Sequence, residues 1–204
     1  MSALVGPTPA RWSEVQLSDI CDLIPGAPTH DDPGGSVPVL KPKNLASGKL
    51  AGPTDTMNEA EAAQHLRYRI RTGDLLCART GSVGRVGLAT DEQAGWIFGS
   101  GLICIRITPS SNVDPQYLAF YFAHPAVSGW IMRNARGTSI PNINSRVLGT
   151  LPVSLPPQSA QRAIGQALAT LNDSIEAHQR ICETTAEIRD ALLPLLLSGE
   201  LPSS

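Results

Sequence analysis

The chain has 204 residues, of which 42% are hydrophobic and 17% charged, a composition typical of an ordinary globular protein. No apolar run approaches the roughly 20 residues that cross a bilayer, which argues against a membrane protein. The N-terminal segment lacks the basic and apolar regions of a secretory signal, so we expect the protein to be cytoplasmic.

The formal net charge of −2 conceals an uneven distribution along the chain. Residues 37–150 carry twelve basic and seven acidic side chains, whereas the segments before and after them are net acidic. This middle segment is rich in arginine, which can bind a phosphate or the edge of a guanine through two parallel hydrogen bonds. The distribution favours a DNA-binding face in the middle of the chain, with an ordinary solvated surface as the alternative.

Apolar periodicity and turn residues predict an α+β fold, in which a mixed globular domain is followed by one long helix. In chain order, the predicted elements are a short helix within residues 12–24, a loop over 25–36, a strand over 37–40, a helix over 58–64 that begins at Asn58, a strand over 66–71, a strand over 75–78, a glycine-rich hairpin over 79–87, a strand over 102–107, a helix over 115–130 interrupted at Pro125, a polar loop over 136–144 and a strand over 148–155. In the strand over 66–71, alternation would place three arginines on one face. We therefore divide the chain into a globular domain over 1–156, a helix over 157–198 and a tail over 199–204.

The C-terminal helix carries a narrow apolar seam. Its apolar residues are spaced mostly by three, four or seven, as in a coiled coil; those predicted to form a dimer interface are Ile164, Leu168, Leu171, Ile175, Ile181, Ile188 and Leu192. A helix of about 36 residues is ~54 Å long, whereas a domain of ~150 residues is only about 30 to 40 Å across. Part of the seam is therefore expected to pack against another helix, with a helix folded back on its own domain as the alternative. Pro194 is predicted to break or kink the helix near its end.

The sequence lacks the usual catalytic and metal-binding patterns. The glycines over 81–87 have no lysine that would reach a phosphate, and the four histidines lack metal-ligand spacing. None of the four cysteines belongs to a Cys-x-x-Cys pair, so all four are expected to be buried reduced thiols. We expect no catalytic residue, metal or cofactor in this chain, with a nuclease whose carboxylates cluster only in space as the alternative.

The order of these features resembles the DNA specificity subunit of type I restriction-modification systems. The most specific match is the tract over 151–201, with a strand, Pro156-Pro157, a glutamine, an isoleucine, a leucine seam and a closing Ser-Gly-Glu-Leu. Weaker matches in the same order are Trp12 with the following helix and the segments over 37–40, 72–76 and 137–140.

The resemblance implies a non-catalytic chain in which the globular part is a target recognition domain. It also implies that the helix docks with a second such helix to set the spacing between two DNA half-sites. Family subunits normally carry two recognition domains and two helices, so this chain resembles a half-subunit, expected to act as a homodimer or with another half-subunit. Pro194 departs from the family, which usually continues its helix there.

The partners implied are double-stranded DNA, a modification methyltransferase subunit and a restriction or translocase subunit. S-adenosylmethionine is expected on the partner methyltransferase and not on this chain. A symmetric pair would recognise two inverted identical half-sites separated by a nonspecific gap. A standalone DNA-binding regulator or accessory phage-defence protein is the alternative.

Three polar loops carry side chains that can bind phosphates or base edges. The candidate DNA contacts are Lys43, Asn44, Arg79, Ser82, Arg85, Arg136, Thr138, Ser139, Asn142 and Asn144. For the loop over 137–144, the alternative is a purely structural, hydrogen-bonded loop.

Overall fold

The computed structural model describes residues 4–7, 9–46, 48–52, 54–137 and 141–198. The strands in these residues are β1 (Ser13–Gln16), β2 (Cys21–Pro25), β3 (Val37–Leu40), β4 (Leu45–Ala46), β5 (Lys49–Leu50), β6 (Asp55–Met57), β7 (Leu75–Ala78), β8 (Val86–Leu88), β9 (Ile97–Phe98), β10 (Leu102–Ile107) and β11 (Pro152–Leu155). The α-helices are α1 (Leu17–Ile20), α2 (Glu59–Gln64), α3 (Pro115–Ala123), α4 (Pro125–Asn134), α5 (Ser145–Gly149) and α6 (Gln158–Ser198). The chain divides into two units, Met1–Gly165 and Gln166–Ser204. The predicted α+β class is confirmed.

The central sheet of the first unit is antiparallel, with the strand order β2-β10-β7-β8. Because neighbouring side chains of a strand point to opposite faces, the run over 75–78 contributes to two cores. Leu75 and Cys77 pack with helices α3 and α4, whereas Leu76 and Ala78 pack with Leu40 and Phe98 on the other face. Burial on both faces explains why these strands are continuous apolar runs rather than alternating ones.

Two of the three smaller sheets join distant parts of the chain. Strand β3 pairs antiparallel with β6 and parallel with β9, whereas β4 pairs with β5, its near neighbour in sequence. Strands β1 and β11 pair antiparallel, which brings the segment before α6 back to the N-terminal region.

A buried ion pair holds the end of the central sheet at which β7 begins. Arg106 donates from Nε and Nη2 to the Asp74 carboxylate, over 2.9 and 2.6 Å, and Asp74 also accepts from the backbone N–H of Arg71 over 2.8 Å. Asp74 and Arg106 retain only 3% and 13% of their side-chain exposure. The hydrogen bonds to Asp74 raise the pKa of Arg106, so this charge is fixed at any physiological pH.

The cysteines divide into two groups. Cys21, Cys77 and Cys104 are buried free thiols, and burial raises the pKa of Cys21 and of Cys77 to about 12. Such thiols are unreactive because the thiolate is the nucleophile. Cys182 on α6 is exposed, so the prediction of a buried thiol is wrong there. Cys182 is exposed because no other part of the described chain packs against this region of α6.

Several local signals predicted their elements correctly. Asn58 caps α2, with its Oδ1 accepting from the N–H of Glu61 over 2.8 Å. The helical region after residue 115 is interrupted at His124, and Pro125 starts α4 as its first residue. The predicted strands over 37–40, 75–78 and 102–107 form with those bounds.

Three predicted elements differ from the structure. Within residues 12–24, only Leu17–Ile20 is helical, because β1 and β2 on either side pair with β11 and β10. The predicted strand over 66–71 is instead a 3-10 turn at Leu66–Tyr68, and Arg69 binds Glu59 over 2.9 Å. The predicted strand over 148–155 begins only at Pro152, because α5 occupies the residues before it.

Helix α6 has 41 residues, which at ~1.5 Å per residue gives about 60 Å. Its first turns belong to the globular unit: Gln161 is buried, accepts from the N–H of Asp114 over 2.9 Å and donates to Pro156 O over 2.9 Å. A Cβ on Gly165 would lie 3.2 Å from the backbone N of Tyr117, which shows how closely the helix approaches α3. The helix continues through Pro194 to Ser198, so of the two predicted effects of this proline, a break or a kink, the break does not occur. No helix in the described part of the chain combines the length and apolar character that crossing a membrane requires.

Candidate nucleic-acid interface

Three loops leave the same edge of the central sheet. Strand β10 begins at Leu102, which pairs with Ala78 at the end of β7, and the next residue, Ile103, pairs with Pro25 at the end of β2. Arg79 N donates to Gly101 O, and Gly26 N donates to Leu102 O, each over 2.9 Å. The segments over 26–30, 79–85 and 99–101 are therefore neighbours.

Two further loops join this edge. The N–H of Gly99 donates to Leu40 O over 2.9 Å, which places the loop over 41–44 beside the start of β10. A Cβ on Gly101 would lie 2.6 Å from Pro42 Cγ and 3.5 Å from Thr80 Oγ1, so this close approach requires glycine. Thr80 in turn forms an antiparallel bridge with Asn142. We call the surface made by residues 41–44, 79–85, 99–101, 136–137 and 141–142 the loop edge.

The glycine-rich hairpin over 79–85 presents two of the predicted contacts to solvent. Gly81 and Gly84 have φ values of 70° and 83°, and this left-handed backbone turns the chain at Ser82. Ser82 and Arg85 are exposed. Arg85 Nη1 donates to Leu45 O over 3.1 Å, and Nε and Nη2 take no part in this hydrogen bond.

Arg79 lies between two loops of the edge. In addition to its bond to Gly101, its carbonyl accepts from the N–H of Ile143 over 3.0 Å, so its backbone is held on both sides. The side chain is half-buried, and its Nε is buried without a hydrogen-bond partner. A buried donor without a partner costs about 1 to 3 kcal/mol, which an incoming acceptor could recover.

The loop over 136–144 is closed by its own backbone. Arg136 and Asn142 exchange two N–H to carbonyl bonds of 2.8 and 2.7 Å, and the side chain of Arg136 is exposed. Asn144 caps α5, with its Oδ1 accepting from the N–H of Val147 over 2.8 Å. Its role is therefore at least partly structural. Thr138 and Ser139 lie outside the described residues.

The two predicted contacts in the loop over 41–44 differ in their exposure to solvent. Asn44 is buried, accepts from the N–H of Lys41 at its Oδ1 and donates from Nδ2 to Ala51 O, each over 2.9 Å. It shapes the loop from inside, so we leave it out of the proposed contact surface. Lys43 is exposed and forms an ion pair with Asp55 over 2.6 Å.

Three residues of this region were not among the predicted DNA contacts. Lys41 also forms an ion pair with Asp55, and hydrogen bonds from Lys41 and Lys43 hold the pKa of Asp55 below its usual value. Thr80 reaches the edge through its bridge to Asn142. The lysine could have been found from its place two residues before Lys43, but the positions of Thr80 and Asp55 depend on long-range pairing. Among the described residues, no three His, Cys, Asp or Glu side chains are grouped to hold a metal ion.

The described residues thus form an α+β domain with an arginine- and amide-bearing loop edge, and the chain continues in a long helix with exposed apolar residues. Residues 9–184 match the family model for the type I restriction modification DNA specificity domain. The chain belongs to this family, as its sequence resemblance indicated. Specificity subunits are the non-catalytic components of type I systems, and the prediction of a non-catalytic chain is confirmed by membership of their family.

Curated relatives agree with this assignment. The chain is 22% identical to the type I restriction enzyme MjaVIII specificity subunit of Methanocaldococcus jannaschii, over 97% of this chain and 48% of that protein. It is 22% identical to the EcoKI specificity subunit of Escherichia coli K12, over 96% of this chain and 44% of that protein. The chain thus spans about half the length of the curated relatives it matches.

Solved structures share the fold. The S subunit of a type I restriction-modification system from M. genitalium superposes with a TM-score of 0.67 at 20% identity, over 97% of this chain and 49% of that one. The HsdS subunit from Thermoanaerobacter tengcongensis gives a TM-score of 0.64 at 22% identity, over 95% and 46%.

Proposed function

We propose that this chain recognises one half of a bipartite DNA target on behalf of a type I restriction-modification complex. The observation that carries the proposal is the loop edge of a DNA specificity domain, where Lys43, Arg79, Arg85 and Arg136 lie on three neighbouring loops. Positive side chains supply the sequence-independent attraction to phosphates. Amide and hydroxyl groups beside them, at Ser82 and Asn142, can bind base edges in a groove.

Replacing Arg79 and Arg85 together with alanine should weaken DNA binding by at least about tenfold and reduce the slope of log K against log salt by about two, because each lost phosphate contact is worth about 0.9. Fluorescence anisotropy with a labelled duplex over a series of NaCl concentrations measures both quantities. The matched control removes Arg71 and Arg162, two exposed arginines away from the loop edge. Equal affinity and slope for Arg79→Ala/Arg85→Ala and wild type would remove the hairpin from the interface.

The helix supports the second part of the proposal, which is pairing with a second copy. Leu171, Ile175, Ile181 and Ile188 are 59%, 54%, 61% and 54% exposed, although each is a large apolar side chain. Exposed apolar side chains do not stabilise a helix that remains surrounded by water. Four of them along one helix therefore favour packing against a partner helix. Ile164 was predicted to lie in the dimer interface, but it packs against the core of the globular unit.

Two apolar stripes lie next to each other along α6. Leu171, Ile175 and Cys182 line a shallow groove on one stripe, and Ala177 and Ile181 line a second groove. Because the apolar surface moves around the helix axis along its length, a partner helix is expected to cross it obliquely, as in a supercoiled pair.

Pairing of two identical chains about a two-fold axis would place equal recognition domains on both halves of the target. The partner methyltransferase, with its S-adenosylmethionine, and the restriction subunit would then act where these chains bind. Co-purification tests this: failure to bind any adenine methyltransferase would favour the standalone regulator instead.

Methylation profiling of cells with and without the gene should identify one motif that depends on it. The expected motif has two inverted identical half-sites separated by a fixed gap, because each half is read by the same loop edge. An asymmetric motif would indicate pairing with a different half-subunit. The same methylated motifs in both strains would contradict a role in modification.

A further inference from the structure

Asp55 holds both lysines of the loop over 41–44. Its Oδ2 binds Lys41 Nζ, and its Oδ1 binds Lys43 Nζ over 2.6 Å. The side chain of Asp55 is only 11% exposed, whereas those of Lys41 and Lys43 are 32% and 61% exposed. One nearly covered carboxylate therefore joins two ammonium groups that face solvent.

Strand pairing fixes the position of this carboxylate. Asp55 begins β6 and pairs with Val39 of β3, two residues before Lys41. The loop that follows is set from inside by Asn44, which binds the backbone N–H of Lys41. The distance between the two lysines is thus determined by the sheet and the loop, and the two Nζ atoms meet at the two oxygens of one side chain.

Two neighbouring aspartates have other partners. Asp31 Oδ1 accepts from the backbone N–H of Thr56 over 3.0 Å, and Asp32 Oδ1 accepts from the N–H of Gly34 over 3.2 Å. Among the ion pairs of the described residues, Asp55 is the carboxylate that binds Lys41 and Lys43.

The arrangement has two physical consequences for DNA binding. A lysine side chain loses up to ~2 kcal/mol of rotamer freedom when it is fixed, and the ion pairs restrict both side chains before any ligand arrives. The carboxylate also cancels one of the two positive charges, which lowers the attraction of the loop to any phosphate chain. Each ammonium retains two donors that do not bind Asp55.

We propose that Asp55 is a specificity-determining positioning residue, which orients Lys41 and Lys43 towards DNA while it suppresses binding to non-target sequences. The inference rests on the proposed DNA-binding function of the loop edge. Asp55 does not touch DNA itself in this proposal. Its carboxylate reduces the attraction of the two lysines to the phosphates of non-target DNA, which contacts only part of the loop edge.

The test compares wild type with Asp55→Asn, which keeps the size of the side chain and removes its charge. The probe is a fluorescent duplex of random sequence, about 30 base pairs long, titrated with the full-length chain at several NaCl concentrations. We expect Asp55→Asn to bind this non-target DNA about 5- to 10-fold more tightly at low salt, with a slope of log K against log salt steeper by about one. Asp55→Glu, which retains the charge, should behave as wild type.

Two controls separate charge cancellation from other effects. Asp91→Asn removes an exposed aspartate that accepts from Thr72 Oγ1, and it should leave the slope unchanged. Asp55→Asn/Lys43→Gln should return the slope to that of wild type, because the released charge is removed again. If Asp55→Asn does not fold, as judged by circular dichroism, Asp55→Ser carries the test with the same expected tighter binding and steeper slope, because it also removes the carboxylate.

Unchanged or weaker binding of non-target DNA by folded Asp55→Asn would overturn the inference, since a purely structural Asp55 predicts one of these two results. Wild-type protein that binds no DNA at all would instead overturn the proposed function, and this inference with it.

Discussion

Replacing Leu171 and Ile175 with aspartate is expected to convert the protein from a dimer into a monomer. Both side chains are more than half exposed in the single chain, and burying a leucine or isoleucine contributes about 1.5 to 3 kcal/mol. A two-fold pair buries four such residues, so the double substitution should weaken association by at least about 10⁴-fold. Each aspartate would also bring an unpaired charge into the interface. Sedimentation equilibrium at micromolar concentration measures the change.

The matched control is Asn172→Asp/Arg180→Gln. It makes the same change in formal charge, and both residues are exposed on the side of α6 opposite to the apolar stripes. This control should remain dimeric. A wild-type protein that sediments as a monomer would contradict pairing through α6, and a dimeric Leu171→Asp/Ile175→Asp variant would assign the interface to another surface.

The second large effect concerns the buried ion pair between Asp74 and Arg106. Replacing Asp74 with alanine should lower the free energy of unfolding by about 3 to 5 kcal/mol, because it leaves the Arg106 charge buried without its carboxylate. The backbone N–H of Arg71 loses its acceptor at the same time. Urea denaturation followed by circular dichroism, at one protein concentration, measures the loss.

Glu59→Ala provides the comparison for this effect. Glu59 also forms an ion pair with an arginine, Arg69, but its side chain is 66% exposed, so its removal should cost less than about 1 kcal/mol. Similar small losses for Asp74→Ala and Glu59→Ala would show that the buried pair contributes no more than a surface pair. The difference between the two losses in the free energy of unfolding shows how much of the effect depends on the burial of the ion pair.

The stability of this pair bears on function through the central sheet. Asp74 immediately precedes β7, and Arg79 immediately follows the same strand. Because the two residues lie at opposite ends of a strand that is held by its pairing with β10, removal of the Asp74 carboxylate is expected to leave the loop edge unchanged in the folded protein. We therefore expect Asp74→Ala to reduce DNA affinity only to the extent that it unfolds the domain, whereas Arg79→Ala/Arg85→Ala reduces affinity with the fold intact.

Local patterns in the sequence were sufficient for the elements whose partners are near in the chain or whose burial is complete. The apolar runs over 75–78 and 102–107 are strands because both faces of the sheet are covered. Asn58 caps its helix through a bond that spans three residues. The apolar seam of α6 could be predicted because its helical spacing repeats over many turns.

Tertiary pairing decided the elements whose local signals were ambiguous. The segment over 12–24 has an apolar pattern that suits a helix, yet β1 pairs with β11 near residue 155 and only one helical turn remains. Arg67, Arg69 and Arg71 alternate as in a strand, but a 3-10 turn lies there and Arg69 is held by Glu59. Backbone hydrogen bonds to distant strands outweigh propensities that differ by less than about 1 kcal/mol per residue.

The candidate interface shows the same division. The residue types that can bind DNA, and their location on loops, follow from local sequence, because arginine, lysine and amides near glycine and proline are visible without a structure. The burial of Asn44, the bridge between Thr80 and Asn142 and the two ion pairs of Asp55 depend on long-range packing. These contacts join residues separated by up to 62 positions. Chain spacing carries no information about such pairs, because the register of the strands between them determines which side chains meet.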